Sequence, residues 1–524
     1  MHPAQSDSAS APARTLLRGG LVADGVAEIT QRADVLVDGP VIAGLITGGD
    51  PPAECAVIDL APGSVVCPGF IDAHVHAEGP LLAAGRVDGA LAQGVTTLVI
   101  GQDGQSWVGA TAATAQYLNE YYAPVNGALE PARDLSVADF RAAVSGRLAQ
   151  NVAVLASQGT IRHNVAGLQR APLTSAQRAA ARREVEQALA DGAVGLSSGL
   201  DYLPSRFGDV AEVTAIAAPL AAAGRPYVSH LRAYGPQAGE GLAELAAVGA
   251  GAGTRVHASH LWGAPADLQA AFASAAAAGV DLSCDMYPYR RSSTLLAMQL
   301  LPPDLQAGGP AATLAALADP RQRAGLLAGP KFADDFLRDV YLGDVPPSYA
   351  HLAGQAVTQA AAGRAPSAGE WVLDLLAAAR LRVGAHLDRR LLADDHLAWL
   401  TGADRMCAGS DGIYQGQHPH PRGYGAFARL AGRYLADPVR GHQRAARHLA
   451  ANAAAVYGLR DRGRIAPGLA ADLCVIGPGG LTERATYAAP QVTATGISLV
   501  LVNGVVAWQD GQPRAGRWPG AVVS

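Results

Sequence analysis

Eight short, β-branched runs punctuate the middle of this chain, and Ala-rich stretches at helical spacing separate them. The runs are SVVCPGFIDAHVH, VTTLVIG, VAVLAS, AVGLSS, PYVSHL, TRVHASHL, VDLSCDMYPY and RMCAGSDG. Between them lie segments such as LTSAQRAAARREVEQALADG and VAEVTAIAAPLAAAG, which carry apolar residues at helical intervals and close on Gly. Few folds accept such a pattern. Strand–helix alternation repeated eight times, with roughly 30 residues per unit, is what a (β/α)8 TIM-type barrel requires. His230 and His260, each closing one run, lie one such unit apart.

The two ends have a different texture. Residues 15–60 and the stretch from GRIAPGLAADLCVIGP onward alternate apolar and polar residues in short pieces broken by Gly and Asp, a hairpin signature. Chain termini of one domain often meet in space, so both ends are expected to build one small β-sandwich. The expected division is therefore residues 1–66 and 459–524 for the sandwich and 67–458 for an α/β catalytic barrel. One interval breaks the barrel's pitch: Tyr287 and Asp411 are 124 residues apart. Subtracting one barrel unit leaves about 90 residues for an insertion, expected over about 295–365. Inserted after a barrel strand, it falls on the face where loops build active sites, which makes it a candidate lid.

Composition excludes several classes of function. Forty cationic residues against 45 acidic ones give a net charge of −5, with no basic stripe for a nucleic-acid partner. The N-terminus lacks a signal-type apolar core and no run of about 18 apolar residues occurs, so neither secretion nor membrane insertion is expected. Five scattered cysteines, none in a CxxC pair, encode no disulfide framework and no Cys-type zinc site, which fits a cytoplasmic protein. Lys331 is the sole lysine and falls in the expected insertion. A carboxylated lysine bridging two metals at a strand end is thereby disfavoured.

The histidines carry the chemistry. His74 and His76 in FIDAHVH are separated by one residue at a strand end, so the period-2 geometry of a strand points both imidazoles to one side, where they can chelate a metal ion. His230 and His260 end two further strands of the same barrel face. Asp411, at the end of the eighth run, can serve as ligand and as general acid/base toward a metal-activated water. Asp103 in LVIGQDGQS is a further ligand or a bridge between two ions, although the same tripeptide is ordinary turn chemistry.

With these residues in place, the chain resembles the N-acyl-D-amino-acid deacylase (D-aminoacylase) family of the amidohydrolase superfamily. The resemblance runs through PGFIDAHVH, GVTTLVIG, GAVGLSSGLDYLPSRF, YVSHLRAYG, ASHLWGA, DMYPYRRSST, GSDG with HPHPRGYGAF, and RGRIAPGLAADLCVI, nearly the whole chain in order. It implies a metal-bearing barrel, a sandwich made from both chain ends, a late-inserted lid, and hydrolysis of an amide in a small, carboxylate-bearing substrate with one or two Zn2+ or other divalent ions. It further implies that His74, His76 and Asp411 hold one ion, that His230 and His260 hold the other, and that Tyr287, Ser293 and Arg422 grip the substrate carboxylate. Three positions depart from the family pattern. Asp103 replaces a cysteine ligand, so a harder oxygen stands where a thiolate would favour zinc. Trp262 replaces a lysine that faces the substrate, and Gln158 stands where His is common. The substrate is accordingly expected to be larger, flatter or less anionic than a simple N-acyl amino acid. Opening of a cyclic amide, imide or lactone, and deamination, remain alternatives on the same scaffold. A catalytically silent scaffold is a third, and it would predict eroded ligands.

Overall fold

A computed structural model describes residues 14–389 and 394–524. All eight sequence runs contain a barrel strand: β1 (Phe70–Asp72), β2 (Val95–Ile100), β3 (Asn151–Val154), β4 (Leu196–Gly199), β5 (Tyr227–His230), β6 (Val256–Ala258), β7 (Leu282–Met286) and β8 (Met406–Ala408). Neighbours pair in parallel from β1 through β3 and from β4 through β8. A short extension of β3, Ala156–Ser157, pairs with Leu196–Ser197 to join the two halves. The ring closes where the Ala73 amide donates to the Ala408 carbonyl at 3.0 Å and the Asp411 amide donates to the His74 carbonyl at 2.8 Å. Every residue of β2 is buried, as expected of a parallel strand covered on both faces.

The helices start where the sequence signals them. Ser175–Ala190 opens with a reciprocal cap in which the Thr174 hydroxyl accepts from the Gln177 amide and the Gln177 side chain accepts from the Thr174 amide. Its buried residues Ala181 and Val185 face the barrel. Among the described residues, no helix is long and apolar enough to cross a membrane.

Both chain ends contribute to one seven-stranded sheet. Val65–Pro68 pairs with Leu473–Ile476, which continues through Ile497–Val502 and Val505–Gln509. A four-stranded sheet from residues 14–59 packs on it through Leu17, Val35, Ile42, Val66, Leu473 and Leu501. The last residues depart from the sandwich expectation. Val522–Val523 adds in parallel to β3 of the barrel, so the stretch 459–524 is divided between the sandwich and the barrel floor.

The insertion is also longer than its composition indicated. Arg291–Leu295 and Gly384–Asp388 pair antiparallel across its neck, with Val340–Leu342 on the far side of the latter. Around them Leu300, Leu337, Val357, Trp371 and Leu376 form a separate core. The inserted body therefore spans 291–388. The stretch AAAGRAPSAGE reads as a linker but holds a helix cap, Ser367, whose hydroxyl accepts from the Glu370 amide at 3.1 Å. Ser367 opens the helix Ala368–Ala378, so the linker texture marks an element boundary inside the insertion.

Candidate metal centre

Four imidazoles and two carboxylates converge beyond the C-terminal ends of the strands. His74 and His76 follow β1, Asp103 follows β2, His230 ends β5, His260 lies just past β6, and Asp411 follows β8. Asp103 stands between all four histidines. Its Oδ1 lies 3.4 Å from His74 Nε2 and 3.6 Å from both His230 Nδ1 and His260 Nε2, and its Oδ2 lies 3.5 Å from His76 Nε2. Asp411 Oδ1 approaches His76 Nε2 at 3.4 Å and His74 Nε2 at 3.8 Å. Donor separations of this size match the edges of a coordination tetrahedron with metal–nitrogen bonds of about 2.0–2.1 Å, which are about 3.3 Å. Two triads fit a cation, His74–His76–Asp103 and Asp103–His230–His260, and they share Asp103.

The backbone is strained to bring these groups together. Asp103, His260 and Asp411 have positive φ values of 56°, 33° and 48°, in the region that L-residues avoid. Such outliers persist only where the surroundings over-determine them, and they gather at functional sites. The turn carrying Asp103 depends on Gly104, also at positive φ, where an added Cβ would lie 2.9 Å from the Gly199 amide nitrogen.

Three of the imidazoles have an outer partner that orients the ring. His76 Nδ1 lies 3.1 Å from Asn126 Oδ1, His74 Nδ1 lies 3.5 Å from Asp285 Oδ2, and His230 Nε2 lies 2.9 Å from Asp201 Oδ1. Each contact leaves the opposite nitrogen facing the centre, the arrangement that sets ligand tautomer in metal sites. Asn126, Asp201 and Asp285 escaped the sequence reading. Asp285 and Asp201 sit close after or within barrel strands, a positional signal, whereas Asn126 lies on a loop helix and gave none.

When no cation is present, the carboxylates of the site favour protons on His74, His76 and His230, while burial lowers the pKa of His260. Burial opposes charge on His76, but the hydrogen bonds and fields of Asp103 and Asp411 outweigh it and raise its pKa to about 10. Burial likewise opposes charge on His230, and Asp201 and Asp103 raise its pKa to about 10. Burial pushes Asp411 up, yet the Arg422 guanidinium and the His76 bond hold it down at about 2. Asp103 is also pulled well below its ordinary range, against burial, by His230 and His74. Within this buried cluster both nitrogens of His74, Oδ1 of Asp103 and Nδ1 of His260 have no hydrogen-bond partner. Orphaned donors and acceptors of this kind need an external partner, and a divalent ion at the centre would satisfy the two that face it, His74 Nε2 and Asp103 Oδ1.

The centre opens into a cavity of about 440 Å3 roofed by the insertion. Barrel residues Tyr122, Tyr202, Tyr234, Trp262 and Ile413 line one side, and Ser293, Met298, Phe336 and Arg389 line the other. Of the residues expected to contact substrate, Trp262 and Ser293 line this cavity. Tyr287 is buried beside the wall, its hydroxyl accepting from Arg389 Nη2 at 3.3 Å. Arg422 is completely buried, its Nη1 lies 2.7 Å from Asp411 Oδ2, and its Nη2 donates to the Ser293 carbonyl at 3.3 Å. Gln158 is fully buried and off the cavity wall. Lys331 donates to the Gln299 carbonyl within the insertion, away from the metal-type cluster.

Comparison with known proteins agrees with this geometry. Residues 56–507 match the Amidohydrolase family. The chain is 31% identical to an N-acyl-D-glutamate deacylase of Alcaligenes xylosoxydans xylosoxydans, covering 96% of this chain and 95% of that one. It is 31% identical to a D-aminoacylase of the same organism, covering 99% of each. A solved N-acyl-D-glutamate deacylase from Bordetella bronchiseptica, complexed with zinc and a phosphonate that mimics the tetrahedral intermediate, superimposes with a TM-score of 0.80 at 28% identity, covering 97% of this chain and 99% of that one.

Proposed function

The chain belongs to the amidohydrolase family and is a metal-dependent hydrolase of amide bonds, and from that premise we propose that its substrates are N-acyl-D-amino acids and its ion zinc. The observation that carries the reading is the convergence of His74, His76, His230, His260, Asp103 and Asp411, with orphaned polar atoms among them, at the floor of a cavity. The two histidine pairs would each hold one ion, with Asp103 shared between them and Asp411 completing the His74–His76 side. A divalent ion bound there lowers the pKa of water and polarises a carbonyl oxygen.

The remaining work falls to the chain's own groups. Asp411 is ionised across the neutral range and presents Oδ1 to the histidines while Arg422 holds Oδ2. That carboxylate can take the proton lost by the attacking water. Once protonated it can pass that proton to the departing nitrogen. Arg422 fixes the plane in which the carboxylate works. The tyrosines, Met298, Phe336 and Trp262 exclude water and present an apolar wall, which suits a substrate with a bulky apolar acyl or side chain. Nothing in the pair Asp103 and Trp262 abolishes the chemistry. They change the hardness of the metal site and the polarity of the wall.

The test is a panel of N-acyl-D- and N-acyl-L-amino acids, cyclic imides and lactones assayed with added zinc. Hydrolysis of N-acyl-D-amino acids with apolar side chains is the expected result. Turnover confined to the cyclic substrates would overturn the substrate assignment.

A further inference from the structure

A fifth buried histidine lies beneath the cluster. His257, in the middle of β6, is fully buried and stands in register with Ser283 of β7. Its Nδ1 lies 2.8 Å from the Ser283 hydroxyl and its Nε2 lies 3.0 Å from Asp285 Oδ2. A carboxylate oxygen accepts, so Nε2 carries the hydrogen and Nδ1 accepts from the Ser283 hydroxyl. Both ring nitrogens are thus satisfied inside the barrel, and none is left for a cation.

Asp285 links this ring to the metal-type centre. Its Oδ1 accepts from the His260 amide at 2.8 Å, and its Oδ2, besides the bond from His257, faces His74 Nδ1 at 3.5 Å. The first two contacts are formed hydrogen bonds, whereas the third is too long to be one and acts through charge. Two bonds on opposite oxygens fix the plane of a carboxylate, and His257 supplies one of the two. The space is tight, since a Cβ added at Gly409 would lie 2.6 Å from Asp285 Oδ1 and 2.9 Å from His74 Cβ.

What Asp285 touches belongs to both triads. His74 is part of His74–His76–Asp103, and His260, with its backbone held at φ 33°, is part of Asp103–His230–His260. Without the His257 bond, Oδ2 loses its one formed hydrogen bond among the described residues. The carboxylate can then turn, which changes its distance to the His74 ring and draws Oδ1 away from the His260 amide. We infer that His257 is a positioning residue which, through Asp285, holds the His74 ring and the His260 backbone together and so sets the affinity of the centre for a divalent ion. It is itself no ligand. The inference rests on the metal-dependent reading of the site.

The experiment strips metal from the purified protein and measures zinc affinity by chelator competition in wild type, His257→Gln, His257→Asn and His257→Leu, with the urea midpoint of each metal-free protein beside it. The Gln amide nitrogen falls where Nε2 was and keeps the bond to Asp285. Asn is too short to reach that carboxylate, and Leu fills the space of the ring without a donor. Zinc affinity should stay within about threefold of wild type in His257→Gln and fall about 10- to 100-fold in His257→Asn and His257→Leu, as for other outer partners of metal ligands. A merely structural role would shift the urea midpoints and leave zinc affinity in place. A folded His257→Asn or His257→Leu protein that binds zinc within about twofold of wild type overturns the inference, and so does a His257→Gln protein that loses as much affinity as His257→Asn. Wild-type protein that takes up no zinc overturns the zinc assignment along with it.

Discussion

Replacing Asp411 with Asn separates the catalytic use of this carboxylate from its structural use. The Asp411–Arg422 pair is an ion pair at 2.7 Å with side chains 8% and 0% exposed. Removing one partner of such a pair leaves an uncompensated buried charge, which costs about 3–5 kcal/mol. Asp411→Asn therefore lowers the denaturation midpoint, and it also removes the proton acceptor, a loss of about 10^2- to 10^4-fold in kcat. Removing the second charge as well changes only one of these effects. In Asp411→Asn/Arg422→Met the buried charge is gone and an apolar side chain of similar length fills its place, so most of the lost stability returns, as for other buried pairs replaced together. Turnover does not return, because the acceptor is still missing. Urea titration followed by intrinsic fluorescence reads the first effect, and steady-state assay of the zinc-loaded proteins reads the second. Recovery of turnover in the double variant would show that the loss in Asp411→Asn came from the unpaired Arg422 charge and not from a missing proton acceptor. An Asp411→Asn protein as stable as wild type would refute the buried pair.

Asp103→Ala removes the carboxylate shared by both triads, so metal analysis of the purified variant should find at least one ion fewer per chain than in wild type. An unchanged metal content would exclude Asp103 as a ligand. Because His76 and His230 titrate near 10 in the metal-free protein, both carry protons at neutral pH that an entering cation must displace. Apparent zinc affinity, measured by chelator competition from pH 6 to 8, should rise by roughly tenfold per pH unit for each proton displaced. A flat profile would contradict protonation of His76 and His230. Asp344, in the insertion, has its pKa raised to about 6 by burial, against the pull of Arg382. A carboxyl raised in the folded state favours folding below its unfolded pKa near 4, and that contribution disappears as pH climbs through 6. Asp344→Asn should accordingly gain stability over wild type between pH 4 and pH 8, by about 1–2 kcal/mol after allowance for partial solvent screening. Equal differences at both pH values would refute it.

The comparison of sequence and structure turns on the distance over which information acts. The eight barrel strands were legible because each is a local run whose hydrophobic period and flanking Gly, Pro or capping residues are written within about a dozen positions. Strand-end placement then carried His74, His76, His230, His260, Asp103 and Asp411 to one face, since a parallel ring aligns all its C-terminal ends. The insertion's limits were not legible. Its neck strands RSSTL and GAHLD are short, and they acquire meaning only by pairing with each other across most of the insertion. Val522–Val523 likewise becomes a barrel strand only because β3 offers it an edge. The partners of Arg422, His230, His74 and Arg389 were decided by tertiary structure for a related reason. A side chain's neighbour in the fold is set by which segments the closed ring and the docked insertion bring within a few ångströms. Sequence by itself determined which groups this chain owns and which end of the barrel carries them. Folding determined which of those groups converge on one centre, which line the cavity beside it, and which, like Arg422 and Asp411, pair with each other.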